Sequence, residues 1–167
     1  MNKSAARLTI GLLLLAGLCL GYAPRYFTYK PTLEECIKRL NSDDFYTVRK
    51  AQRDICDFGK PAIPRLRQSV LNSSNAFEGQ ICCYLIGDID AGAYGTILVD
   101  VAQHLRTEIP MHYPNRKAMA SLSTTERKNL VADINSLHLA ASDDLNWLER
   151  FITQPQDYLL GNRFYTQ

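Results

Sequence analysis

From Leu33 onward, apolar residues recur at helical intervals, and short polar runs interrupt them. Leu33, Cys36, Ile37 and Leu40 form a first stripe with the i, i+3, i+4, i+7 spacing of one helix face. "NSDD" at 41–44 ends it. Ser42 is the expected N-cap, and Asp43 and Asp44 suit the positive end of the next helix. Val48, Ala51, Ile55 and Phe58 make a second stripe. Gly59 follows where a helix often ends in left-handed backbone. Pro61 and Pro64 then stand close together, with helix-like spacing on both sides. A new helix starting there resolves the conflict, because first-turn N–H groups lack intrahelical partners anyway. Ile63, Leu66, Val70 and Leu71 form the third stripe. Phe77, Ile81, Leu85, Ile86 and Ile89 form the fourth, after an N-x-x-E capping box at Asn75 and Glu78. Tyr94, Ile97, Leu98, Val101 and Leu105 form the fifth.

These stripes repeat. A shift of 31 residues carries "LNS" at 40–42 onto "LNS" at 71–73. The same shift takes Ala51 to Cys82, Ile55 to Ile86, Phe58 to Ile89, Ala62 to Ala93, Leu66 to Ile97 and Val70 to Val101. A string of three letters recurs easily by chance. A string that recurs with the core positions in register points to a two-helix repeat, at the short end of helical solenoid periods.

Beyond the repeats the pattern loosens. Arg106–Ser123 holds Pro110 and Pro114 and reads as a long loop, centred on 108–122, with room for one short helix. Ser123 and Glu126 form an S-x-x-E capping box before a helix with Leu130, Val131, Ile134 and Leu137 on one face. Ser142 caps another, with Leu145, Leu148, Phe151 and Ile152 inward and Trp147 partly exposed. A stack of helix pairs needs its last apolar face covered. The helices within 123–154 are the expected cap, and 155–167 an extended tail.

The stretch "SDDFYTVRKAQRDICDFGKPAIPRL", with its shorter echo "YLIGDI", resembles bacterial HEAT-repeat proteins of the bilin-lyase-like type. Repeats of that family read as an acidic turn, Val-Arg, Ala, an aliphatic residue, Gly, then Pro-Ala-Ile-Pro-x-Leu. Val48, Arg49, Ala51, Gly59, Pro61, Ala62, Ile63, Pro64 and Leu66 stand at those places. Val48 to Gly59 is one residue shorter than the family pattern. The second repeat has Gly79 and Gln80 in place of Val-Arg, and Asp90 in place of Gly. The resemblance covers Leu33–Leu105, under half the chain. It implies an all-α fold: a short right-handed α-solenoid of HEAT-like helix pairs over 32–107 with a C-terminal helical cap. It also implies that Arg49 pairs with the acidic turn at Asp43 or Asp44, or contacts a ligand. On activity it is nearly silent.

Composition narrows the class. The chain has 167 residues, enough for one domain, with 46% hydrophobic and 22% charged residues and a net charge of +2. Such a chain can bury a sizeable core, and its charge is unlike that of a polyanion-binding domain. The N-terminus stands apart. Lys3 and Arg7 precede an apolar run from Leu8 to Leu20, the pattern of an export signal. Residues 1–23 are therefore expected to be a signal peptide or a retained membrane anchor. The run is shorter than the roughly 20 residues of a spanning helix. Tyr22, Tyr26, Phe27 and Tyr29 would suit a membrane interface if the segment is kept. The remainder is expected outside the cytoplasm, periplasmic or anchored to the inner membrane. There Cys36, Cys56, Cys82 and Cys83 can pair in three ways, between which sequence does not choose. Cys82 and Cys83 point about 100° apart on a helix, which disfavours a bond between them.

No catalytic constellation stands out. CxxC, GxSxG, HExxH and a P-loop are absent. Asp100 and His104 share a helix face but lack the third and fourth ligands of a metal site. His112 lies in the proline-flanked loop. Asp88 and Asp90 diverge, so they make no acid–base pair. Arg49, Lys50, Arg53, Lys60, Arg65 and Arg67 cluster, but Asp54 and Asp57 interrupt them and aromatics do not interleave. Nucleic acid is therefore not an expected partner, and no cofactor or metal is expected. The expected function is a non-enzymatic protein–protein interaction module. Its partner would be another exported or envelope protein, met on the second helix of each pair: Arg49, Arg53 and Asp57, then Gln80, Tyr84 and Asp88 at the 31-residue shift. Met111, His112 and Tyr113 in the loop are a second candidate surface. The alternatives are a bilin-lyase-like enzyme or accessory with Cys83 as its reactive group, and an immunity or inhibitor protein against an exported toxin. Residues 8–23 also allow membrane association.

Overall fold

The computed structural model describes residues 29–104, 106, 109, 114–140 and 142–156. The chain divides into two compact units, Met1–Pro31 and Thr32–Gln167. In the first, only Tyr29, Lys30 and Pro31 are described, and they carry no regular secondary structure. The expected signal or anchor at 1–23 lies outside the described residues, as do Leu105, Met111, His112, Tyr113 and the tail from 157.

The described part of the second unit is all-α, with eight α-helices and no strand. They are α1 (Leu33–Arg39), α2 (Phe45–Phe58), α3 (Ile63–Asn72), α4 (Ala76–Ile89), α5 (Ala91–Gln103), α6 (Arg116–Ser121), α7 (Thr124–Ser136) and α8 (Asp143–Thr153). Most starts carry a side-chain cap. Thr32 and Glu35 form a capping box on α1, and Ser123 and Glu126 form the expected one on α7. Ser142 caps α8. Two expectations about caps need correction. The N-cap of α2 is Asp44, which accepts from Tyr46 N and Thr47 N, while Ser42 Oγ accepts from Asp44 N. Asn75 caps α4, but Glu78 does not complete a box; its carboxylate accepts from Asn41 Nδ2 at 2.7 Å.

The corner between α2 and α3 explains Gly59 and the two prolines. Gly59 has φ 64° and ψ −149°, a region that side chains avoid, although a Cβ there would meet nothing within 4 Å. The requirement is therefore on the backbone, not on space. Pro61 lies in the 3-10 turn Lys60–Ala62, and Pro64 lies in the first turn of α3. Neither removes a hydrogen bond that the helix needs.

Neighbours in sequence pack together: α1 on α2, α3 on α4, and α4 on α5. Alternate helices also touch, α2 on α4 and α3 on α5. The C-terminal helices close the array on one side. α5 meets α6 and α7, α4 meets α6, and α8 rests on α7. One core runs through all of them, including Leu40, Ile55, Leu66, Ile86, Ile97, Leu98, Met119, Leu148 and Phe151, each fully buried. Tyr94 is also fully buried in it. Trp147 stacks on Phe151 with ring centroids 5.3 Å apart. Phe58 and Phe77, expected inward, are exposed. Each lies at the edge of its helix's apolar stripe, where the neighbouring helix no longer covers it.

Candidate functional site

A groove runs between α2 and α4. One half is lined by Phe45, Val48, Arg49, Gln52, Phe77, Ile81 and Tyr84 and encloses about 440 Å³. The other is lined by Arg49, Gln52, Arg53, Cys56, Asp57, Tyr84, Leu85 and Asp88 and encloses about 510 Å³. Arg49, Gln52 and Tyr84 belong to both halves, so the two are continuous. Residues from the starts of both helices meet in the first half, and residues from their ends meet in the second. α2 and α4 are thus parallel, and the groove follows them from an apolar end to a charged one.

The apolar end is built from side chains that the core leaves uncovered. Phe45 is 67% exposed, Phe77 43% and Tyr84 39%. The Arg49 guanidinium lies over the Phe45 ring, 5.7 Å from its centroid, a cation–π contact. Tyr46 meets the same ring edge-on at 6.0 Å. Burial pushes the Tyr84 hydroxyl up from its ordinary value, and Asp88 adds to the shift. Tyr84 therefore stays neutral and can donate a hydrogen bond.

The charges sort into two groups. Four of the clustered basic residues are held in ion pairs among the described residues. Lys50 meets Asp54 at 2.9 Å, Lys60 meets Asp90 at 2.6 Å, Arg65 meets Glu34 at 2.6 Å, and Arg67 meets Asp100 at 2.8 Å. Arg49, Arg53, Asp57 and Asp88, which line the groove, take part in none of these pairs. Arg49 does not pair with Asp43 or Asp44, because Asp44 is occupied as a cap and the guanidinium turns to Phe45 instead.

The charged end is fixed from below by Asn115, the N-cap of α6, which is 1% exposed. Its Nδ2 donates to the Tyr84 carbonyl at 2.8 Å and to Asp88 Oδ1 at 3.0 Å. Its Oδ1 accepts from Ala118 N, and its own N–H donates to the buried Tyr94 hydroxyl oxygen at 2.9 Å. Gly87 makes room for it. A Cβ at that position would lie 2.6 Å from Asn115 Nδ2.

Of the residues expected at a partner-binding face, Arg49, Arg53, Asp57, Tyr84 and Asp88 line this one groove. Gln80 does not. It is 9% exposed, turned inward from the face it was expected to share. Phe45, Gln52 and Phe77 went unnoticed as lining residues. Their positions carried a signal, since 45 and 52 lie four before and three after 49, and 77 lies seven before 84.

The other candidates fall elsewhere. Cys36, Cys82 and Cys83 are buried free thiols, and Cys56 is a half-buried one. Burial pushes Cys82 and Cys83 up to about 12. His104 Nδ1 lies 2.8 Å from the Asp100 carbonyl oxygen, while the Asp100 carboxylate pairs with Arg67. Among the described residues no cluster of three or more potential metal ligands forms, and no helix is long and apolar enough to cross a membrane. In comparisons with known proteins, no family model, no curated protein and no solved structure matches this chain.

Proposed function

We propose that this chain is a non-enzymatic protein-binding module, a short right-handed solenoid of HEAT-like helix pairs that acts outside the cytoplasm. Two observations support the repeat reading. Alternate helices pack on each other, as stacked pairs require. Glu34 and Arg65, one 31-residue shift apart, join equivalent positions of successive pairs. The extracytoplasmic setting rests on Lys3, Arg7 and the apolar run Leu8–Leu20. The partner is then an exported or envelope protein.

The observation that carries the binding reading is the α2–α4 groove. Its wall combines three exposed aromatic rings with two arginines that lie outside the ion pairs holding their neighbours. Tyr and Arg are favoured as interface anchors because each presents much contact area with directional polar groups. No observation favours the enzyme reading, since Cys83 is fully buried and its thiol is pushed up to about 12. Crosslinking in the native envelope, followed by mass spectrometry, tests the proposal. Wild type should capture a defined set of proteins that Arg53→Ala/Tyr84→Ala loses while keeping its helical circular dichroism. An unchanged partner set in the folded double variant would overturn it.

A further inference from the structure

The groove is polarised, and its polarity points to the chemistry of what it holds. We propose that it takes a short extended peptide segment of the partner, with a large apolar residue, a carboxylate and a basic group in that order along the groove. The inference rests on the binding reading above and specifies its ligand.

The order follows from the lining. At the start of α2 and α4, Phe45, Val48, Phe77 and Ile81 present only hydrocarbon and ring surface, which suits an aromatic or aliphatic anchor. Halfway along stands Arg53, one helical turn beyond Arg49, whose guanidinium lies over the Phe45 ring at the apolar end. At the far end stand Asp57 and Asp88, close to the C-terminal turns of two parallel helices, whose free carbonyls add negative character. Of the cations near Asp57 in sequence, Lys60 is engaged by Asp90 at 2.6 Å, and Arg53, one turn earlier on the same wall, is in none of the ion pairs that hold its neighbours. The far end is therefore a site for a cation, while the middle is a site for an anion.

Spacing sets the length. Val48 to Arg53 is five helical residues, about 7.5 Å, and Arg53 to Asp57 is four more, about 6 Å. An extended chain advances about 3.3 Å per residue. The carboxylate thus falls about two residues from the anchor, and the basic group about two residues beyond it. Asn115 makes the far end selective. It ties down one oxygen of Asp88 at 3.0 Å and holds the adjacent Tyr84 backbone, so the carboxylate faces the groove in a fixed orientation. A fixed carboxylate loses less side-chain freedom when it binds a cation.

The test is selection from a linear peptide library of about seven residues, displayed on phage, against the full chain. Enriched peptides are then synthesised with fluorescein and titrated by fluorescence anisotropy. They should share the order anchor, acid, base at those spacings. Arg53→Glu and Asp57→Lys, both on exposed positions, should each weaken binding tenfold or more. The double variant should instead prefer peptides with acid and base exchanged. Enriched peptides without this order, or insensitive to both reversals, would overturn the assignment while leaving the binding face in place. Absence of enrichment, with the crosslinked partner set still lost in Arg53→Ala/Tyr84→Ala, overturns the peptide ligand in favour of a folded surface. Absence of enrichment with an unchanged partner set overturns both readings.

Discussion

Arg65 grips Glu34 with both arms of its guanidinium, Nε to Oε1 at 2.6 Å and Nη2 to Oε2 at 3.0 Å, across one 31-residue shift of the sequence. A third contact, Nη1 to Ser69 Oγ at 2.7 Å, holds the arginine against its own helix. The pair thus ties α1 to α3. Because Glu34 is largely solvated, the link sets geometry more than it adds stability. A double-mutant cycle with Glu34→Gln and Arg65→Ala should give a coupling of about 0.5–1 kcal/mol, read from urea unfolding, and the coupling should shrink in high salt.

The same pair makes stability depend on acid. Hydrogen bonding from Arg65 holds the Glu34 carboxyl below its usual range. Thr47 does the same for Asp44, Lys60 for Asp90 and Ser123 for Glu126. A carboxyl with a depressed folded pKa contributes fully above its unfolded value, about 4. That contribution is lost as pH falls through the folded value. The melting temperature should be level from pH 7 to about 5 and fall below about 4. Glu34→Gln should flatten part of that fall.

Gly87 and Asn115 are coupled sterically. Gly87→Ala places a Cβ 2.6 Å from Asn115 Nδ2, so the amide must leave the Tyr84 carbonyl and Asp88. The expected cost is about 2–4 kcal/mol in urea unfolding. Asn115→Ala should cost a similar amount, since it removes a cap and leaves a carbonyl short of its donor. The two together should cost well under their sum, because the second change finds the space already cleared.

The cysteines should report burial in alkylation. At pH 8 a thiol with a pKa of about 12 is ionised to only about one part in ten thousand. Among the four described cysteines, folded protein treated with iodoacetamide should therefore be modified first at Cys56, which is half-buried, and last at Cys82 and Cys83. Peptide mass spectrometry gives the order. Rapid labelling of Cys83 in folded protein would contradict its place in the core.

Groove residues and core residues should separate cleanly. Phe45→Ala removes a ring that is mostly exposed, so it should cost under about 1 kcal/mol, and Tyr84→Ala, at a ring more than half covered, somewhat more. Leu66→Ala, at a fully buried position, should cost about 2–5 kcal/mol. Partner capture should show the reverse ranking among variants that remain folded.

The periodic stripes made the helices legible before any coordinates. Each of the five from Leu33 onward falls on a helix over its described residues, Leu40 being the residue that ends the first, and Gly59 with Pro61 marks a corner, because caps, helical spacing and backbone restrictions are local physics. Helical spacing placed Arg49, Arg53 and Asp57 on one face of α2, and Tyr84 and Asp88 on one face of α4; that the two faces line one groove depends on the packing of α2 against α4. Local physics could not decide which side of a face its neighbours would cover. Phe58 and Phe77 carry core-like spacing yet lie outside, and Gln80 carries surface-like chemistry yet lies inside, because coverage depends on which helices pack against α2 and α4. Nor could sequence reveal that Asn115, which follows Pro114 and caps α6, would fill the space at Gly87 and steady Asp88. That contact joins residues 27 and 28 positions apart, on two different helices. Sequence by itself determined the helices and their order. Only the tertiary structure decided which of the clustered basic residues are held in ion pairs, and so that Arg49 and Arg53 line the groove outside them.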